Sequence, residues 1–135
     1  MTLKQNNIKL LRKHGLKPTT QRLFLSEILF SGKNMHFCAE DLSKIILKKG
    51  HKMSLATIYN NLHHLVKAGL IKKRQVNNNI TYFDNNVTDH FHIFDAENNT
   101  LVDVPFSSVK FSKLPKLPKN KKIKNISLVI NLENK

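Results

Sequence analysis

The chain is short of cysteine, acid, glycine and apolar runs, and each shortage removes a class of protein. A single cysteine, Cys38, in 135 residues excludes an internal disulfide and a four-thiolate zinc site within one chain. Four glycines leave no glycine-rich loop to cradle a phosphate, and no nucleophile stands paired with a base, so an enzyme has little support. No stretch approaches the roughly 18 to 20 consecutive apolar residues of a membrane span. The first residues, MTLKQNNIKLLRKHG, are charged and amphipathic without a small-residue cleavage site. The expectation is a cytoplasmic protein with no membrane partner.

What is present is positive charge, unevenly placed. Lys and Arg number 23 against nine Asp and Glu, a formal charge of +14. Residues 1–87 hold 15 of the cations and four of the acids; residues 88–106 hold Asp89, Asp95, Glu97 and Asp103 and no Lys or Arg; residues 107–135 hold eight Lys against Glu133. A basic front half suits a polyanion such as double-stranded DNA, through phosphate contacts and counterion release. A solvated surface explains the same excess, so charge alone does not decide. The acidic block is more specific, because it surrounds the histidines of DHFHIF.

Four helical patterns fill the first seventy residues. Ile8, Leu10 and Leu11 line one face of a first helix that should stop near HGLKP, where Gly15 and Pro18 break it. Thr19 is an N-cap for a second, TQRLFLSEILF, with Leu23, Phe24, Ile28 and Leu29 inward and Gly32 beyond its end. A third, AEDLSKIILKKG, buries Leu42, Ile45 and Ile46, opens on acids and closes on lysines and Gly50. In the fourth, SLATIYNNLHHLVKAG, Ser54 caps the start, and Leu55, Ile58, Tyr59, Leu62, Leu65 and Val66 form one apolar stripe. Its other face carries Thr57, Asn60, Asn61, His64 and Lys67. GLIKKRQV and ITYFD read as strands joined by NNN, a hairpin bearing Lys72, Lys73 and Arg74. Three helices, a polar-faced helix and a basic hairpin follow the order of a winged helix-turn-helix.

After residue 87 the pattern changes. FHIFD and TLVDV read as strands about an ENN turn, SKLPKLPKNKKIK is a proline-punctuated basic stretch, and Ile126, Leu128, Ile130 and Leu132 alternate in the closing ISLVINL. The expected fold class is α+β, with a winged-helix DNA-binding domain over 1–87 and a small second domain over 88–135.

In this order, HGLKPTTQRLFLSEILF, HFCAEDLSKII, SLATIYNNLHHLVKAGLI and HFHIFDAENNTLVDVP resemble the ferric uptake regulator family over nearly the whole chain. SLATIYNNLHHLVKAGL, TYFDNN and LVDVP are most similar to its iron response regulators, the Irr branch of alphaproteobacteria. The resemblance implies a homodimeric, metal-responsive repressor or activator whose second domain dimerises and senses metal. Carried over by position, the regulatory metal site falls on His36, Asp84, His90, His92 and Asp103. Physical chemistry agrees: residues 90 and 92 of a strand share a face roughly 7 Å apart, and nitrogen and oxygen donors suit iron, manganese or zinc. His14, His51 and His63 read as surface residues. The candidate DNA-contacting set is Thr19, Arg22, Thr57, Tyr59, Asn60, His64, Lys67, Lys72, Lys73 and Arg74. Asn60 stands where the family's usual arginine would be, and asparagine favours adenine; Tyr59 in relatives packs against thymine methyls.

Departures from the family pattern matter as much. A structural zinc of many members uses paired cysteines, of which the first pair's positions here are Asp95 and Asn98; that zinc is expected to be absent. A second family site needs a histidine before His90 and an acid between the two histidines, where this chain has Asp89 and Phe91. A Cys-Pro haem motif is missing, since Ala39 follows Cys38, so any haem would fall to His90 and His92. Three readings remain open: an iron-responsive regulator of AT-rich operators, a peroxide sensor of the same family, and a metal-independent winged-helix architectural protein.

Overall fold

A computed structural model describes residues 1–75, 80–88 and 90–135, so the NNN turn and Asp89 lie outside the described residues. The chain divides into two compact units, Met1–Val87 and Thr88–Lys135.

The first unit has α1 (Leu3–Lys13), α2 (Thr20–Leu29), β1 (His36–Phe37), α3 (Ala39–Lys48), α4 (Leu55–Lys67), β2 (Lys72–Gln75) and β3 (Thr81–Asp84). α2 and α4 begin at the expected caps. Thr19 Oγ1 accepts from the Arg22 amide at 3.2 Å, and Ser54 Oγ accepts from the Thr57 amide at 3.2 Å, each satisfying an orphan donor of the first turn. At the far end of α4, Gly69 takes φ +83°, a left-handed conformation that glycine adopts without strain. The Leu70 amide then bonds the Leu65 carbonyl at 3.0 Å, and the chain turns into β2.

Leu11, Leu25, Leu29, Phe37, Leu42, Ile46, Ile58, Leu62, Leu65 and Ile71 are almost fully buried in one core. Each contributes roughly 1.5–3 kcal/mol by leaving water. Burial differs from the sequence reading on α2 and α4. Leu25, unassigned in the sequence, is fully buried on α2 together with Leu29, whereas Leu23 and Phe24 are half-buried. Leu55 and Tyr59, assigned to the apolar stripe of α4, are 44% and 43% exposed, whereas Asn61, assigned to the polar face, is buried. Asn61 is tolerated there because its Nδ2 donates to the Thr57 carbonyl at 2.9 Å.

A short strand that periodicity could not reveal is β1. It pairs antiparallel with β3, giving the order β1-β3-β2. Asp84, the last residue of β3, is thus flanked by His36 on one side and Lys72 on the other. Asn85, the next residue, ties this end together: its Nδ2 donates to the carbonyls of Leu29 (2.7 Å) and Lys33 (2.8 Å), and its Oδ1 accepts from the Met35 amide at 2.8 Å.

The second unit is a sheet of order β5-β4-β6, from β4 (Phe91–Asp95), β5 (Thr100–Val104) and β6 (Val129–Leu132), with a 3-10 turn at Phe106–Ser108. β4 and β5 form an antiparallel hairpin, and β6 lies parallel to β4. Of the row expected along ISLVINL, only Val129–Leu132 is regular strand. Phe91 is buried against Phe106 and Phe111, with ring centroids 4.5 and 6.1 Å away. Among the described residues no helix is long and apolar enough to cross a membrane.

Asn85→Ala removes three hydrogen bonds and strands two carbonyls and an amide. We expect a stability loss of at least about 2 kcal/mol by chemical denaturation; a change below about 0.5 kcal/mol would make the amide a bystander.

Candidate metal centre and nucleic-acid interface

Strand geometry assembles the histidine cluster of the second unit. His92 and Asp103 are direct cross-strand partners on β4 and β5, and His90, two residues earlier, shares the face of His92. The imidazoles lie at a centroid distance of 4.5 Å. Asp103 Oδ1 is 3.0 Å from His90 Nε2 and 3.5 Å from His92 Nε2. One ligand atom from each of the three falls within 4.8 Å of the others.

The hydrogen bonding of His90 decides what this cluster needs. Its Nδ1 lies 2.6 Å from the Thr88 carbonyl, which can only accept, so Nδ1 carries a proton. In a neutral ring Nε2 then presents a lone pair to a carboxylate, and two acceptors repel unless a positive centre lies between them. Either a proton or a cation fits. The donor set is one that divalent iron, manganese or zinc takes, and a backbone carbonyl on the far ring nitrogen is the usual outer support of a metal-bound histidine.

The first unit holds the other two candidates. His36 Nε2 is 3.5 Å from Asp84 Oδ2, and the Asp84 side chain is fully buried. Arg74 Nε lies 3.7 Å from the same oxygen, and the Asn86 amide donates to Asp84 Oδ1 at 2.8 Å. Arg74, grouped in the sequence with the phosphate-facing wing, therefore turns partly inward as a countercharge.

The candidate DNA face separates into exposed and committed side chains. Asn60, Lys67 and Lys73 are exposed, and Thr57, His64 and Lys72 are half-buried. Tyr59 is exposed, and its hydroxyl donates to Glu40 Oε1 at 3.2 Å; partial burial, then the Glu40 carboxylate, raises its pKa. Thr19 uses its hydroxyl as a cap. Arg22 faces inward, bonded to the Lys17 carbonyl and to His64. Asn85, Glu40 and the partners of Arg22 escaped the sequence reading. A strand ending in Asp-Asn-Asn was the one available sign, since short polar side chains close strand ends by bonding backbone.

Where a cysteine pair was absent, the turn between β4 and β5 has a substitute. Asp95 accepts from the amides of Glu97 (3.1 Å) and Asn98 (3.3 Å) and from Asn98 Nδ2 (2.8 Å). The Asn98 side chain holds the Asp95 carboxyl below its ordinary pKa. His51 and His63 are exposed, His51 against the Phe24 ring at 4.2 Å. His14 is half-buried, its Nδ1 on the Leu10 carbonyl.

A winged helix-turn-helix unit, followed by a small sheet unit with a histidine-aspartate cluster, defines a DNA-binding fold carrying a candidate metal centre. The sequence profile of the ferric uptake regulator family matches residues 13–131. The chain belongs to that family. It is 38% identical over 88 residues to the ferric uptake regulation protein of Haemophilus influenzae, covering 65% of this chain and 60% of that one. Over 99 residues it is 31% identical to the peroxide-responsive repressor PerR of Staphylococcus epidermidis, covering 73% and 65%. The matched stretches thus span less than two-thirds of these relatives' length. A structure of the ferric uptake regulator from Pseudomonas aeruginosa with manganese shares the fold, with a TM-score of 0.72 at 21% identity over 99% of each chain.

Cys38 contributes no thiolate. Burial pushes its pKa up to about 11, with Asp41 acting in both directions, which favours the neutral thiol throughout the physiological range. Alkylation by iodoacetamide at pH 8 should run at least about tenfold slower than for a model thiol of ordinary pKa. Equal rates would show an accessible, ionisable sulfur.

Proposed function

We propose that this protein is a DNA-binding transcription regulator that answers to a divalent metal and acts as a homodimer. The observation that carries the metal reading is His90: its Nδ1 proton is committed to Thr88, and its Nε2 faces Asp103. In this reading His90, His92 and Asp103 act with His36 and Asp84 as the ligands of iron or manganese, with zinc as the substitute. Bound to these side chains, an ion would supply divalent charge and favour whichever conformation binds DNA better. Haem is the weaker candidate for the same histidines, because both Nε2 atoms are turned to a carboxylate.

The DNA reading rests on α4 and the wing, with Asn60 for adenine in an AT-rich operator and Lys72 and Lys73 for phosphate. Within the family, SLATIYNNLHHLVKAGL, TYFDNN and LVDVP support placement with the iron response regulators. A second reading, peroxide sensing, is favoured by the likeness to the Staphylococcus epidermidis repressor. Peroxide treatment of iron-loaded protein, followed by mass spectrometry, separates the two: oxygen added to His36, His90 or His92 favours the sensor.

His92→Ala should lower the affinity for Mn(II) more than about tenfold, since even outer supports of a metal site cost 10–100-fold. DNA retardation by the variant should no longer respond to Mn(II). Unchanged stoichiometry by elemental analysis would remove the site, and DNA binding indifferent to chelator in wild type would favour the architectural protein.

Dimerisation is assigned to the second unit, whose edge strand β6 leaves Ile130 and Leu132 40% and 48% exposed. Aspartate at position 130 places a charge where apolar burial is worth roughly 1.5–3 kcal/mol. Ile130→Asp should shift sedimentation toward monomer at micromolar concentration, and a fully dimeric variant would exclude this strand from the interface.

A further inference from the structure

Arg22 and His64 lie 42 residues apart and meet inside the first unit. Arg22 Nη2 is 2.8 Å from His64 Nδ1, and Nη1 donates to the Lys17 carbonyl at 3.0 Å. Its Nε is buried without a hydrogen-bond partner, so the guanidinium is seated rather than free in solvent. A guanidinium carries donors only and keeps its proton in proteins. His64 Nδ1 must therefore accept, and the ring's single proton belongs on Nε2. His64 shares the stripe of α4 with Asn60 and Lys67, four before and three after it, both exposed. Together with Lys67 and His14 it also lines a recess of about 230 Å³.

We propose that Arg22 is a positioning residue that sets His64 as an obligate hydrogen-bond donor on this stripe, directed at an acceptor of duplex DNA. The proposal rests on the DNA-binding reading above. A histidine free to change tautomer can offer a donor or an acceptor; one locked by Arg22 offers only Nε2–H. It therefore accepts guanine N7 or O6, adenine N7, thymine O4 or a phosphate oxygen as partner, and rejects the amino groups of adenine and cytosine. Arg22 acts through His64, because its Nη1 and Nη2 each hold a partner within the unit and its Nε is buried.

Two measurements on the full chain test this. Long-range proton–nitrogen spectra of histidine-labelled protein, above the titration range of the ring, should show His64 as the Nε2–H tautomer in wild type and as a mixture in Arg22→Ala. An Nδ1–H signal in wild type overturns the proposal whether or not the variant folds. For binding, the probe is duplex DNA selected by the Mn(II)-loaded protein from a randomised library. Arg22→Ala should weaken that binding about tenfold in the wild-type background and less than about twofold in a His64→Ala background, the non-additivity of residues acting as one. An undiminished loss in the second background makes Arg22 a direct contact and overturns the positioning role. Altered preference at one base position identifies a base edge as the acceptor, and a uniform loss identifies a phosphate oxygen; either supports the donor assignment. If wild type selects no DNA, the DNA-binding reading fails, while the spectra still decide the tautomer.

Discussion

A fully buried carboxylate sits where β1, β2 and β3 meet, and the first unit is organised about it. Taking a carboxylate out of water costs several kcal/mol even after relaxation. The fold keeps Asp84 by placing His36 across the ladder, Arg74 beside it and the Asn86 amide on its second oxygen. The cost explains two otherwise odd features. A two-residue strand, β1, brings His36 to this point as the ladder partner of Asp84. A wing arginine turns from solvent because a negative charge draws it in. Asn85 then fastens the same corner to the end of α2, so a candidate metal ligand and the frame of the helix-turn-helix share one set of bonds.

The second unit meets a different constraint. It buries few large side chains, chiefly Phe91, His92 and Phe94, and a small sheet with so modest a core is marginal alone. Its polar cluster is built on the hairpin, where the ladder sets His92 opposite Asp103 and His90 stands just before β4. His92 opposite Asp103 is a consequence of register, and a one-residue slip would move both histidines to the other face of the sheet. Precision in the candidate site therefore comes from strand pairing.

The sequence disclosed what depends on period and punctuation. Caps at Thr19 and Ser54, stops at Gly15, Gly32 and Gly50, and the division after residue 87 were all legible, because each follows from local chemistry. The five candidate ligands were legible only through family likeness; spacing alone offered just the pair at 90 and 92. What stayed hidden was set by tertiary partners. Tyr59 fits a helical stripe but lies at the edge of the packed face, and Asn61 looks polar but is satisfied by its own helix. Arg22 and Arg74 read as surface cations, and only packing shows that each has an internal partner.

The hydrogen-bonded turn at Asp95 and Asn98 carries a chemical consequence of its own. Members of the family that clasp this region with thiolates and zinc depend on a reduced environment and on metal supply for the clasp. Here the same positions are joined by an amide and a carboxylate, neither of which is oxidised by disulfide-forming reagents or stripped by a chelator. This turn therefore offers an oxidant no thiol and a chelator no metal.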